Sequence, residues 1–156
     1  MKVKNYIVYI ICALILISCT NYHGDYKFKR SLIHNETSPV VSFKFGNKNA
    51  NLIIDTGSEI SIIDDNFYLS NMNKFTFIEN SHKEITTING TVTSGVIMAS
   101  ALLNDSIPIL FYITDIDEIQ KNVFIKSGIN IQGIIGCDFL YNNEAVINFK
   151  DKEFKN

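Results

Sequence analysis

The sequence predicts an all-β domain: a small closed, β-barrel-like or sandwich-like fold with one or two short helices. Three observations carry this. β-branched and aromatic residues are plentiful, while prolines number 2 and glycines 8, a composition suited to pleated, half-buried strands. Apolar and alternating runs are short and are separated by turn residues. Helical signals are sparse by comparison. One domain is expected from 156 residues, and 46% hydrophobic against 19% charged residues is enough for a packed core. The formal net charge is only −2, and no basic stripe exceeds Lys27-Phe28-Lys29-Arg30. A nucleic-acid partner is therefore not expected.

The first segment is not part of that fold. Lys2 and Lys4 precede an uninterrupted apolar run from Tyr6 to Ile17, and Ser18-Cys19 follows. A positive start, an apolar middle and a small residue before the cut make a secretory signal. A membrane span would need about 20 apolar residues, and this run is shorter. Leu16-Ile17-Ser18-Cys19 resembles the bacterial lipobox, which implies a signal over 1–18 and lipidation of Cys19. The protein would then be anchored by acyl chains rather than spanning. Thr20, where an aspartate would resemble an inner-membrane retention signal, favours the outer membrane. Residues 19–34 read as a tether and 35–156 as the domain. With Cys12 in the signal and Cys19 lipidated, Cys137 has no partner for an intrachain disulfide. His23, His34 and His82 give it no thiol-protease context.

The domain elements follow in order. Pro39 to Phe45 alternates, with Val41, Phe43 and Phe45 on one face, and reads as a half-buried strand. Gly46 to Asn49 is a turn. Ala50 to Ile54 is the next strand, and Ser61 to Ile63 a short one. Asp64 or Asp65 caps a short helix over Asn66 to Ser70. Phe75 to Ile78 and Glu84 to Ile88 read as strands, and Asn89-Gly90 as a hairpin turn into Thr91 to Leu103. Asn104-Asp105 turns the chain into Ile107 to Ile113. Glu118 to Ser127 is ambiguous. Gly133-Ile134-Ile135-Gly136 is an apolar pair between glycines. Asp138 caps a helical turn through Tyr141. Ala145 to Phe149, a turn at Lys150-Asp151 and a last short strand end the chain.

The chemistry centres on Asp55-Thr56-Gly57-Ser58. Leu52, Ile53 and Ile54 lead into it, and Ile60, Ile62 and Ile63 follow. An aspartate carried to the end of a buried strand is a costly placement for an idle group. An Asx-type turn closing a strand is the plainer reading. Together with Asn89-Gly90 and Ile134-Ile135-Gly136 downstream, the order of motifs resembles the retropepsin-like aspartic proteases over roughly Pro39 to Phe154. Gly136-Cys137-Asp138-Phe139-Leu140 is similar to the helix entry of bacterial members. The resemblance implies the acid-protease β-fold with Asp55 as the catalytic aspartate. It implies that the Thr56 hydroxyl ties two active-site loops together and that Gly57 allows close approach. Ser58 would bond the outer oxygen of Asp55, and Ile134, Ile135 and Gly136 would support the loop. A flap would run from Glu84 to Gly95, with its tip at Thr87, Ile88, Asn89, Gly90 and Thr91.

That chemistry takes two carboxylates, one ionised to activate water and one protonated to donate to the peptide carbonyl. The chain holds a single Asp-Thr/Ser-Gly. Asp64-Asp65 and Asp115-Ile116-Asp117 lack the glycine and the apolar context, and read as caps and solvated loops. The domain is also about half a two-lobed pepsin. A homodimer with the site on its two-fold axis follows. No cofactor and no metal is required. The expected function is a lipid-anchored aspartic endopeptidase acting on protein or peptide outside the cytoplasm. The alternative is a non-catalytic, lipid-anchored peptide- or protein-binding module on the same fold.

Overall fold

The computed structural model describes residues 27–34, 39–87 and 90–156. Residues 1–18, Cys19, Ile88 and Asn89 lie outside these. The described residues form ten strands: β1 (Lys29–His34), β2 (Val40–Phe45), β3 (Lys48–Ile54), β4 (Ile62–Asp64), β5 (Phe75–Thr87), β6 (Gly90–Leu103), β7 (Ile107–Thr114), β8 (Gly133–Ile135), β9 (Val146–Asn148) and β10 (Glu153–Lys155). The helices are α1 (Asp65–Leu69), α2 (Asp117–Ser127) and α3 (Cys137–Asn142), with a 3-10 turn at Met72–Lys74.

The strands form one sheet in the order β5-β6-β7-β4-β8-β3-β2-β1-β10-β9. Among the described residues β5 and β9 are its two edges, so the expected closed barrel is not what forms. The sheet folds over instead. Phe45 on β2 stacks on Phe75 of β5 at 5.7 Å and lies 6.0 Å from Phe111 of β7. These strands are far apart in sheet order, so their rings meet only because two halves of the sheet face each other across one core. Phe43, Phe28 and Phe154 fill the other end, with Phe28 and Phe154 4.9 Å apart. Short strand signals locate strands but say nothing of whether the sheet's ends meet, since closure depends on tilt and stagger.

Alternation along β2 sets which side faces the core. Val41, Phe43 and Phe45 are buried, and Lys44 is exposed. Val40, on the opposite face, is also buried because Val123 of α2 and Ile131 pack over it. The β6–β7 turn places Asn104 and Asp105 at φ 53° and 60°, the left-handed geometry that matches strand twist in tight hairpins. Thr87 pairs with Gly90 at the end of the β5–β6 hairpin.

Two expectations change. The tether through residue 34 includes a strand, because β1 pairs with β10 (Arg30↔Phe154) and with β2 (Leu32↔Val41). Leu32 and Phe28 are buried, which draws the segment into the sheet. The ambiguous stretch is the 11-residue helix α2, so the described residues hold three helices rather than one or two. Only Val123 of α2 is buried, while Ile119, Phe124 and Ile125 are exposed. No clean apolar stripe marks the helix in the sequence. Its ends carry the signal: Asp117 and Glu118 in the first turn, Lys126 in the last, and Gly128 at φ 71° closing it.

Candidate active site

β8 runs between β3 and β4, parallel to the first (Ile54↔Ile135) and antiparallel to the second (Ile62↔Ile134). The chain leaving β3 must therefore cross the end of β8 before it returns as β4. Asp55 opens that crossing. Its amide donates to the Ile135 carbonyl at 3.0 Å, so the turn starts on a fixed backbone. The Ser58 amide donates to the Asp55 carbonyl at 3.2 Å, closing the turn. The Gly57 amide donates to Asp55 Oδ1 at 2.8 Å and orients the carboxylate. A Cβ on Gly57 would sit 3.2 Å from that same oxygen, a close approach that glycine relieves.

Leu52 and Ile54 are buried, yet Asp55, Thr56 and Gly57 are exposed. The aspartate is thus not a buried carboxylate within one chain; it stands on an open face. Ser58 also departs from expectation. Its hydroxyl donates to the Ile60 carbonyl at 2.7 Å, bracing the turn internally, and is not spent on the outer oxygen of Asp55. The nearest acceptor along the curled backbone takes the hydroxyl, as commonly happens with turn serines.

The support beneath the turn is close. Ile134, Ile135 and Gly136 are all buried. A Cβ on Gly136 would lie 2.3 Å from the Ile60 carbonyl oxygen, and one on Gly133 would lie 2.4 Å from that of Ile62. Both neighbours are backbone, so neither position has room for a side chain. The first amides of α3 then grip the turn: Cys137 donates to the Ser58 carbonyl at 2.8 Å and Asp138 to that of Glu59 at 3.1 Å. The exposed Cys137 thiol donates to the Thr56 carbonyl at 3.2 Å.

Two further residues hold this junction. Ser61 is fully buried. Its amide and hydroxyl donate to the Asp138 carboxylate at 3.0 and 2.7 Å, and its hydroxyl accepts from the Gly136 amide at 3.1 Å. Asp138 is not the N-cap of α3, which is Gly136; its carboxylate ties α3 to the start of β4 through Ser61 and also accepts from the Phe139 amide at 2.7 Å. Sequence reading missed Ser61 because its partner lies 77 positions away. Asp138 was visible only as a residue near a helix start.

Of the three predicted pieces, the structure brings together Asp55–Ser58 and Ile134–Gly136. The third is a hairpin whose described part ends at Thr87 and Gly90, with Thr91 facing Thr86. Asp64 and the Asp115–Asp117 pair are not at this turn. Asp64 caps α1 by accepting from the Phe67 amide at 3.0 Å, which decides between the two candidate caps. Burial pushes the Asp64 carboxyl up, opposed by the Phe67 amide and reinforced by Asp65.

The turn thus presents an exposed aspartate held by a threaded strand and a helix entry. The family model for retroviral aspartyl protease matches residues 35–148, and the chain belongs to that family. No curated protein matches it. The matched span takes in the Asp55 turn, the hairpin and the Ile134–Gly136 support.

Proposed function

We propose that this protein is an aspartic endopeptidase whose active unit is a homodimer, with one Asp55 from each subunit. Its placement supports this: the Asp55 carboxylate is exposed on a rigid turn, in a family of aspartyl proteases, and the chain supplies one such motif. Two carboxylates about 3 Å apart share a proton, because both cannot readily ionise. The ionised one takes a proton from water, which attacks the peptide carbonyl carbon. The protonated one donates to the carbonyl oxygen. Collapse of the tetrahedral intermediate breaks the C–N bond, and the amine leaves with a proton from the dyad. In this reading Gly57 aims the carboxylate, and Thr56 meets its symmetry mate across the axis. Ser58, Ile134, Ile135 and Gly136 keep the loop rigid, and the hairpin around Thr87 to Thr91 closes over a protein or peptide substrate.

The resemblance of Leu16-Ile17-Ser18-Cys19 to the lipobox supports a bacterial lipoprotein with its acyl anchor on Cys19. The catalytic domain would then work in the periplasm or at the cell surface, with the outer membrane favoured. The decisive experiment compares wild type with Asp55→Asn on a peptide library. Cleavage should fall by roughly a thousandfold or more while the dimer persists in sedimentation. Undiminished cleavage by the variant would sink the mechanism.

A further inference from the structure

Away from the candidate active site, the parallel pairing of β4 with β7 sets Asp64 opposite Thr114. Both strands therefore end at the same edge. The chain after β7 runs at once through Asp115, Ile116 and Asp117 into α2. Carboxylate oxygens of Asp64, Asp115 and Asp117 all lie within 4.8 Å of one another. Among the described residues no ion pair reaches any of the three.

A cluster of acids alone would be a solvated edge. A second observation concerns Asp64. Its residue is 4% exposed. Its Oδ2 accepts from the Phe67 amide; the Ile116 amide also favours the charged carboxyl, yet the buried Oδ1 closes no hydrogen bond of good geometry. A buried carboxylate oxygen lacking a donor is costly. Asp115 cannot supply one, because a carboxylate only accepts; its Oδ1 takes the Asp117 amide at 2.8 Å. Oxygens of three carboxyl groups converge, and among the described residues no cationic side chain pairs with them.

We infer that Asp64, Asp115 and Asp117 form a site for a calcium-class divalent cation that clasps the end of β4 to the start of α2. The donor set is all carboxylate, which suits a hard cation. Calcium–oxygen distances run about 2.3–2.6 Å, so oxygens on opposite sides of one ion stand up to about 5 Å apart. Oxygens that all lie within 4.8 Å of one another fit inside that limit, and calcium accepts an irregular, partly hydrated oxygen set, whereas magnesium demands near-ideal octahedral geometry. Asp115 and Asp117 are exposed, leaving room for water to complete the shell. The sequence hides this site because Asp64 and Asp115 are distant along the chain and adjacent only through the sheet. The inference does not depend on the protease reading.

The test is thermal unfolding of the full chain in detergent at neutral pH, in EDTA and then in about 5 mM CaCl2. That concentration exceeds the roughly 0.1–1 mM dissociation constants of weak extracellular calcium modules. The midpoint should rise by about 3 °C or more in calcium, and less in equal MgCl2. Asp64→Asn should abolish the rise, since an amide can still cap α1 but adds no charge. The paired variant Asp115→Asn with Asp117→Asn should abolish it too, and decides the question alone if the first variant does not fold. An unchanged wild-type midpoint, or a rise kept in the paired variant, would overturn the site. An equal rise in MgCl2 would overturn the calcium assignment.

Discussion

Gly136 shows how one absent side chain fixes the geometry of the Asp55 turn. An alanine there would place its Cβ 2.3 Å from the Ile60 oxygen and 2.4 Å from the Ile60 carbonyl carbon. Backbone cannot swing aside as a lysine tip can, so either the turn or α3 must move. Gly136→Ala should cost roughly 2 kcal/mol or more and lower the melting midpoint by about 4–8 °C for a chain of this size. Because the displaced carbonyl lies in the same crossing as Asp55, kcat should fall further than the loss of folded protein explains. Activity normalised to the folded fraction from circular dichroism checks this. An unaltered midpoint would show that the crossing is not packed as described. Ser61 and Asp138 act on the same junction through hydrogen bonds, so the turn is held by shape on one side and by polar contacts on the other.

The small elements at the end of the chain are as consequential as the long ones. β10 has only three residues, yet it joins β1 to β9 and buries Phe154 completely among Phe28, Phe43 and Phe139. Phe154→Ala should cost about 3–5 kcal/mol, read as a lower denaturant midpoint. Glu153 ties β10 to β1 through Lys29 and also pairs with Lys155 on its own strand. Hydrogen bonds from Lys29 and then Lys155 hold its carboxyl below its ordinary value of 4.5. The folded state thus ionises this group more readily than the unfolded chain does. The stabilisation is present above the ordinary value and is lost as pH falls through the lowered one. Glu153→Gln should therefore be less stable than wild type near neutrality, and the gap should close in acid. Denaturant titrations across that range measure it, and a gap independent of pH would refute the clasp. These elements also show what the sequence makes legible. The alternation of β2, the Asn104-Asp105 turn and the Asp55 motif are local signals, and each sits where local chemistry puts it. β1 was missed because half of its pairing is with β10, more than 100 positions away (Arg30↔Phe154), and α2 because its exposed apolar residues blur its one buried position. The open, folded-over sheet and the Ser61–Asp138 tie are likewise products of long-range pairing, which no local run encodes.

At the scale of the whole molecule, one chain carries its own packed core and, in the proposed mechanism, half of a reaction centre. The exposure of Asp55, Thr56 and Gly57 has a direct consequence if that face is the dimer axis. Each active site then needs two good aspartates, and an inactive subunit spoils its partner. Wild-type chain mixed and re-equilibrated with an equal amount of Asp55→Asn should distribute statistically, leaving about one quarter of the dimers with both aspartates. Twice as many dimers form in total, so activity should fall to about half that of the same wild-type amount alone. A large excess of the variant should drive it towards zero. The mixture must stay well above the dimer dissociation constant, so that dilution does not mimic poisoning. A mixture as active as its wild-type component would mean that one chain suffices for cleavage. A second carboxylate would then have to be sought within the same chain, and the two-fold site would be abandoned.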